Sequence, residues 1–321
     1  MRILLLERNK LHLRKLTRIL TCTGVPVVPI EDTSELSLAL DDEETILCAD
    51  AVDIGPVQGI LASRPKVRGV VWSAQPNKAL LQAAAAQPRL SHLLGKPDPK
   101  SPPRPWEVLW VLRRLVTGDR PSLASVLNWG YTGFKERVHN PEERDRVVEG
   151  VVRFCEKLNC PGRVREMLGE LAHELLMNAM YDAPVDDVGQ PRFAHDRKAR
   201  IELKDDDAAV IRCASDGMKV LVSVVDRFGR LPRRKVFDGM VRGLEGGRMD
   251  TSFGGAGLGM LYVYKSTALS IFDVIPGERT EVTGIYELDL NQRVFRNLPR
   301  SIHVFHAGAR EGTDAVEETH G

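Results

Sequence analysis

Two segments in the second half of the chain carry residues that could bind an amine and a phosphate. In LVSVVDRFG (221–229), Asp226 ends an apolar strand, where its carboxylate could accept a hydrogen bond from an exocyclic amine such as that of adenine. In SFGGAGLGM (252–260), glycines precede an apolar helix, and backbone amides at such a helix start suit a phosphate. Taken singly, the first segment could be a plain turn and the second a flexible connection. The glycine-rich segment is not a P-loop, because no G-K-[ST] follows it.

A third segment, ELAHELLMNA (170–179), has the pattern of a helix with polar residues on one side. Because four residues turn an α-helix by about 40° more than one full turn, Glu170, Glu174 and Asn178 line one side. A glutamate and an asparagine at this spacing are most often solvated surface residues, so the pair alone is weak evidence for a site. His173 lies about 100° from Glu174 and is interpreted as a structural residue, not a phosphoacceptor.

Together, and in this order, the three segments resemble the GHKL (Bergerat-type) ATP-binding domain of histidine kinases, anti-sigma-factor kinases, Hsp90 and type II topoisomerases. ELAHELLMNA is similar to the N box, VVDRFG to the first glycine box and GGAGLGM to the second. ERTEV, which contains Thr280, resembles the threonine-containing strand that closes the family's site. The resemblance covers roughly residues 125–295 and implies ATP and Mg²⁺ as cofactors.

The resemblance implies a role for each matching residue. Glu174 would be the polarising, catalytic base, Asn178 the Mg²⁺ ligand that bridges to the triphosphate, and Asp226 the adenine-binding residue. Mg²⁺ suits a site with few protein ligands and several phosphate and water oxygens. The other positions implied to bind the cofactor are Gly229, Gly255, Gly257, Gly259 and Thr280.

Two departures from the family pattern leave ATP affinity and phosphate handling open. Phe228 and Arg230 stand where the first glycine box usually has glycines. The basic residue often found just after the N-box asparagine is absent, and Tyr181 and Asp182 occupy that place. Glu174 is retained, so the implied base is not affected.

The first part of the chain, up to about residue 115, alternates short apolar runs with helical stretches, a pattern typical of a parallel α/β domain. It resembles a response-regulator receiver with a flavodoxin-like parallel sheet. Asp50 of ILCAD falls at the phosphoacceptor position, and three further residues match the receiver pattern: Glu7, Ser73 and Lys96.

This receiver-like domain is predicted to be degenerate. The acidic pair that normally follows the first strand is Glu7-Arg8 here, and the cation of Arg8 opposes Mg²⁺ binding. The segment between Asp50 and Ser73 is also short for a complete helix and strand. We therefore predict a docking or dimerising module, with phosphorylation of Asp50 and a plain turn role for Asp50 as the alternatives.

The predicted organisation has three parts. Residues 1–118 form the receiver-like domain, and residues 119–300 form the ATP-binding domain, a Bergerat-fold α/β sandwich with a mixed sheet. Residues 301–321 are expected to be a polar, disordered tail.

Composition excludes several classes of protein. The 321 residues carry a net charge of +1, with basic residues spread along the sequence, which argues against a non-specific nucleic-acid binder. No run of 18 apolar residues is present to span a membrane, and the N-terminal MRILLLERNK is a strand, not a signal peptide. Five scattered cysteines fit reduced core thiols. These features predict a cytoplasmic protein.

Three functions remain compatible with the sequence. The first is a bacterial signalling protein whose ATP-binding domain phosphorylates serine or threonine on a protein partner, as anti-sigma-factor kinases do. A histidine kinase is less favoured, because Pro161-Gly162 interrupts the helical stretch before the N box. The second is a non-catalytic, ATP-dependent interaction switch. The third is a phosphorelay component that receives phosphate on Asp50. The partner is expected to be a signalling protein, and a homodimer is an open alternative.

Overall fold

The computed structural model describes residues 1–75, 78–120, 122–244 and 256–307. The chain folds as two compact units. The first unit comprises Met1–Asp119 together with the residues from His306 onward, and the second comprises Arg120–Phe305. The change from one unit to the other falls next to the boundary predicted after residue 118. The fold is of the mixed α/β class, and each unit is described separately below.

The first unit is built on a parallel sheet whose strand order is β2-β1-β3-β4-β5. The strands β1, β3, β4 and β5 are almost wholly buried, whereas the edge strand β2 is partly exposed. The burial fits the continuous apolar sequences of the four strands, because parallel strands are covered on both faces. The elements of this unit are β1 (Arg2–Leu6), α1 (Lys10–Thr21), β2 (Val27–Ile30), α2 (Leu36–Ala39), β3 (Thr45–Asp50), α3 (Ile54–Ser63), β4 (Val67–Ser73), α4 (Lys78–Ala86), β5 (Leu90–Gly95) and α5 (Pro105–Thr117).

The prediction that residues 50–73 are too few for a helix and a strand was wrong. Both α3 and β4 lie in this segment. A 3₁₀ turn follows β3 directly and leads into α3, so no loop residues are needed between them. The Asp50 side chain begins this turn by accepting a hydrogen bond of 3.1 Å from the Val52 amide. The connection between α3 and β4 is also short, consisting of residues 64–66.

The second unit is built on a sheet with the order β11-β9-β10-β8-β7-β6, and the neighbours from β9 to β6 are antiparallel. Helices α6, α7 and α9 pack on this sheet. Its elements are β6 (Thr132–Val138), α6 (Pro141–Lys157), α7 (Gly162–Met177), β7 (Ala209–Ser215), β8 (Lys219–Asp226), α8 (Arg233–Leu244), α9 (Ala256–Ser266), β9 (Leu269–Ile275), β10 (Arg279–Glu287), α10 (Gln292–Arg296) and β11 (Ser301–His306).

Local signals in the sequence explain where α6 begins and which face of α7 is buried. The Asn140 side chain accepts a 2.9 Å hydrogen bond from the Glu143 amide, and Pro141 occupies the first helical position. In α7, Leu168, Leu171 and Leu175 are buried. This apolar stripe fixes the rotation of α7 and thereby the direction in which its polar residues point.

Strand β11 corrects the prediction of a disordered tail from residue 301. The side chains of Ile302, Val304 and Phe305 are buried, and His303 is fully buried among them. The apolar residues in this segment supply enough hydrophobic burial to hold a strand next to β9, in spite of the polar sequence that follows. Residues 308–321 lie outside the described part of the chain.

In the described ranges, no helix combines the length and the apolar character that crossing a membrane requires.

Candidate functional site

Asp226 ends β8 and is buried, with only 7% of its surface exposed. Its Oδ1 atom accepts hydrogen bonds from the backbone amides of Phe228, at 2.9 Å, and Gly229, at 3.3 Å. Burial raises the pKa of Asp226 to about 6, although these hydrogen bonds and Thr280 oppose the shift. Thr280 lies directly opposite Asp226 on β10. The carboxylate at this strand end is therefore held by the turn that follows it and by Thr280.

Gly229 is required by the turn that follows Asp226. Its φ is +60°, and a Cβ atom there would lie 2.0 Å from the carbonyl oxygen of Ile275. Only glycine tolerates both the left-handed conformation and the close approach of the backbone. Gly229, the glycine retained in this segment, is therefore a residue for which the turn tolerates no other type. The neighbouring Arg230 side chain donates to the Gly189 carbonyl at 2.7 Å.

Glu174 and Asn178 lie at the end of α7, where the α-helix continues as a π-helical turn over Asn178–Asp182. π-helical turns inside helices occur frequently at functional sites. The Asn178 Nδ2 atom is buried and, among the described residues, has no hydrogen-bond partner. A Cβ added to Gly259 of α9 would lie 3.1 Å from Glu174 Oε2 and 3.7 Å from Asn178 Nδ2. The two polar side chains thus face the start of α9 at close range.

A cavity on this side of the sheet joins the two regions. Its polar lining residues are Asn178, Asp182, Asp226, Arg230, Lys235 and Thr280. The apolar part of its wall is formed by Leu175, Ala179, Ala183, Val224, Leu231, Met260 and Val282. The sequence-predicted residues Asn178, Asp226 and Thr280 therefore line one cavity, with Glu174 and Gly259 beside it.

Two basic residues of this region were missed in the sequence. Arg197 donates from Nη2 to Asn178 Oδ1 and to Asp182 Oδ2, both at 2.8 Å, and from Nε to Asp182 Oδ1 at 3.2 Å. Burial raises the pKa of Asp182, while Arg197 and Lys235 lower it. No basic residue directly follows Asn178 in the sequence, but the guanidinium group of Arg197 lies against it. In the sequence, the only indication of such a partner is Asp182, an acidic residue at a position where a basic one is expected.

The remaining sequence-predicted positions of this unit are located as follows. Gly257 lies in the first turn of α9, and Gly255 lies outside the described residues. His173 does not line the cavity, and its pKa is lowered by burial and by the nearby charge of Arg144. This location agrees with a structural role for His173.

In the first unit, Asp50, Ser73 and Lys96 meet at the carboxyl edge of the parallel sheet. The Lys96 Nζ atom donates to Asp50 Oδ2 at 2.7 Å, and the Lys96 backbone amide donates to the Ser73 carbonyl at 2.7 Å. Lys96 is buried, with 5% exposure. The structure thus brings together the residues that the receiver resemblance indicated.

Arg8 pairs with Asp53 at the same edge, a partner that the sequence did not reveal. Arg8 Nη2 lies 2.5 Å from Asp53 Oδ1, and Asp53 is buried. Glu7 Oε1 accepts from the Asn9 amide at 2.9 Å. The carboxylates at this edge are therefore already bonded to groups of the chain itself.

Within the described ranges, no group of three or more His, Cys, Asp or Glu side chains is arranged to hold a metal ion. A divalent cation in the cavity of the second unit would therefore depend on oxygens of its ligand as well as on Asn178. Comparison with protein-family models finds none that matches this chain, and comparison with curated protein sequences finds no significant match.

Proposed function

We propose that the second unit binds Mg²⁺-ATP in the cavity between α7 and the sheet and uses it to phosphorylate a hydroxyl group on a protein partner. The observation that carries the proposal is the convergence of Asp226, Thr280 and Asn178 on one cavity with a partly apolar wall. These residues come from separate segments of the sequence, and each stands in a segment that resembles a GHKL motif.

The end of the cavity at Asp226 suits the adenine base. A buried carboxylate is a strong acceptor for an exocyclic amine, because hydrogen bonds to charged groups gain about 1.5–3 kcal/mol. Val224, Met260 and Val282 provide apolar surface for a planar ring. Ligand pockets commonly combine such apolar walls with a few polar groups that fix orientation.

The end of the cavity at Asn178 suits phosphates. Arg197 and Lys235 bring positive charge to this end, and Arg197 already contacts the Asn178 amide oxygen. The first turn of α9 adds backbone amides, which favour anions at a helix N-terminus. The Asn178 oxygen fits one position in the coordination of Mg²⁺, which in proteins is completed largely by phosphate and water oxygens.

Glu174 is the residue that would support phosphoryl transfer. Its carboxylate lies beside Asn178, where it could accept the proton of a serine or threonine hydroxyl as that oxygen attacks the terminal phosphorus of ATP and ADP leaves. The resemblance to anti-sigma-factor kinases supports this reaction class and a signalling protein as the substrate.

A calorimetric titration of the full chain with Mg²⁺-ATP tests the proposal. Wild type should bind, and Asp226→Asn should bind roughly 100-fold more weakly, because the amide places a donor against the amine of adenine. The matched control is Asp289→Asn, an exposed residue beyond the cavity whose replacement should leave affinity unchanged. Absence of Mg²⁺-ATP binding by wild type would refute the proposal.

One observation favours a non-catalytic switch as the second candidate. Asn178 Oδ1 is held by Arg197, which is itself held by Asp182. A ligand that needs this oxygen must rearrange the pair, and such a rearrangement could change a binding surface without phosphoryl transfer. Wild type that binds Mg²⁺-ATP but shows no turnover with or without partner would favour this alternative.

We infer that the first unit is a docking or dimerising module. Its strand order, 2-1-3-4-5, is that of flavodoxin-like folds and supports the receiver resemblance. The pairing of Arg8 with Asp53 supports a module that does not bind Mg²⁺ and is not phosphorylated.

A further inference from the structure

A second cavity, which we call the basic groove, lies on the other face of the second-unit sheet and has a volume of about 340 Å³. Successive side chains of a strand point to opposite faces of a sheet. In keeping with this alternation, Val224 and Asp226 line the proposed nucleotide cavity, whereas Val225 and Arg227 line the basic groove. The groove is therefore a site separate from the one proposed for ATP.

Five cationic side chains and one acidic side chain, Glu278, line the basic groove; the cations are Lys135, Arg137, Arg212, Arg227 and Arg279. Lys135 of β6 lies directly opposite Arg212 of β7. Like charges in this relation destabilise a sheet. The net charge of the whole chain is only +1, so this concentration of charge arises from the arrangement of the strands.

The carboxylate of Glu281 balances part of this charge. Arg212 Nη1 lies 3.2 Å from Glu281 Oε1, and Arg279 pairs with the other oxygen. Glu281 is buried, and its Oε1 also accepts from Ser223 Oγ at 2.9 Å. One fixed carboxylate therefore orients two guanidinium groups at the edge of the groove.

The other cations of the groove remain available to a ligand. Within the described part of the chain, Lys135, Arg137 and Arg227 are exposed and form no ion pair. Burial lowers the pKa of Arg279; the charge of Asp273 opposes this shift, and repulsion by Arg120 and Arg212 adds to it. A bound anion would relieve this repulsion, since opposite charges at close range attract.

We propose that the basic groove binds a small organic polyphosphate, a molecule with at least two phosphate groups beside a flat apolar part. Guanidinium groups match phosphate oxygens through paired hydrogen bonds. Val210, Val225 and Ile275 are half-buried and provide an apolar floor between the cations. The groove volume lies at the lower end of the roughly 300–1,000 Å³ typical of small-molecule sites.

The test is a calorimetric titration of the full chain with inorganic tripolyphosphate in the presence of EDTA. Arg137→Gln/Arg227→Gln should weaken binding roughly 10-fold or more, because it removes two charge-assisted contacts. The charge-matched control is Lys157→Gln/Arg163→Gln, which changes exposed residues of α6 and α7 and should alter affinity less than about twofold. Denaturant unfolding of each variant verifies the fold.

A second pair of measurements separates this site from the nucleotide cavity. Arg197→Gln alters the nucleotide cavity and should leave tripolyphosphate affinity within about twofold. ADP without Mg²⁺ should bind the groove at least as tightly as tripolyphosphate, since its base adds contact with the apolar floor. Equal affinity of the groove variant and its control would overturn the proposal. Tighter binding of a six-residue polyglutamate peptide or of single-stranded DNA would also overturn it, by assigning the groove to a macromolecule.

Discussion

Asp50 of the first unit and Asp226 of the second are both aspartates at the end of a buried strand, yet their surroundings differ. Asp50 has one oxygen bonded to Lys96 and the other to the Val52 amide. Asp226 uses Oδ1 for two backbone amides and borders a cavity with a partly apolar wall. Both carboxylates are therefore bonded within the chain, but of the two only Asp226 also lines this cavity.

The same contrast extends to the neighbours of these aspartates. Arg8 and Asp53 neutralise each other at the edge of the first unit's sheet. In the second unit, the buried Nδ2 atom of Asn178 has no partner among the described residues. Because buried polar groups are nearly always paired, such an atom in a cavity points to a ligand. This difference is the reason why we place the proposed ligand in the second unit and not at Asp50.

The largest expected effect is on turnover in Glu174→Gln. Loss of a general base lowers the rate by roughly 100-fold or more, while Mg²⁺-ATP affinity should change less than about threefold. The measurement is ADP release with partner present, alongside calorimetry. Glu166→Gln, an exposed residue two turns earlier in α7, is the control and should retain full turnover. Unchanged turnover in Glu174→Gln would show that Glu174 is not a general base.

The second prediction concerns the pH dependence of stability, which should report the burial of Asp226. Its pKa in the fold is about 6, above the ordinary value of 3.8, so between these values the folded state holds a proton that the unfolded state has lost. The contribution of Asp226 to stability is therefore fully present below the ordinary value and is lost as pH rises through 6. This contribution should fall by about 1–3 kcal/mol over the range, and it is measured as the difference in the free energy of unfolding between wild type and Asp226→Asn.

Urea unfolding at a series of pH values checks this behaviour. Asp289→Asn, at an exposed position, should retain the wild-type slope. Equal slopes in wild type and Asp226→Asn would show that Asp226 makes no such contribution.

A smaller effect is expected from Arg197→Gln, which tests the phosphate end of the cavity. ATP affinity should fall roughly 10-fold, because a charge-assisted contact is lost, while adenosine affinity should stay the same. Calorimetry with both ligands measures the difference. Lys198→Gln changes the exposed neighbouring residue and should affect neither ligand. An equal loss for ATP and adenosine would mean that Arg197 only maintains the shape of the cavity.

No effect at all is expected when the first unit is treated with acetyl phosphate and Mg²⁺. Its carboxylates are bonded within the chain, and the Arg8 cation opposes a metal ion there. Intact-mass analysis should show no phosphate adduct on wild type. An adduct that forms on wild type but not on Asp50→Ala would show that Asp50 accepts phosphate, and it would favour a phosphorelay role.

Short-range features of this chain were readable from sequence, because they depend on neighbouring residues. The Asn140 cap of α6 and the strand end at Asp226 both lie where the neighbouring residues indicate them. The spacing of Glu174 and Asn178 also survives, since it depends only on the period of the helix. In contrast, the segment that forms β11 was predicted to belong to a polar, disordered tail, because most of the residues that follow it are polar.

Long-range contacts decided the rest. Arg197 reaches Asn178 across 19 residues of chain, and no local pattern indicates which loop residue returns to a helix end. Asp53 was hidden in the same way, because it meets Arg8 from a position 45 residues away. Both cases concern the identity of a partner for a charged group, which depends on the path of the backbone.

The sequence by itself determined the cap of α6, the turn glycine at residue 229 and the polar residues at the end of α7, since each follows from local chemistry and periodicity. Only the tertiary structure gathered Asp226, Thr280 and Asn178 around one cavity and placed the cations of the basic groove on the opposite face. The reason is physical: pairing of strands brings residues far apart in sequence to neighbouring positions, and the alternation of side chains then assigns each to one face.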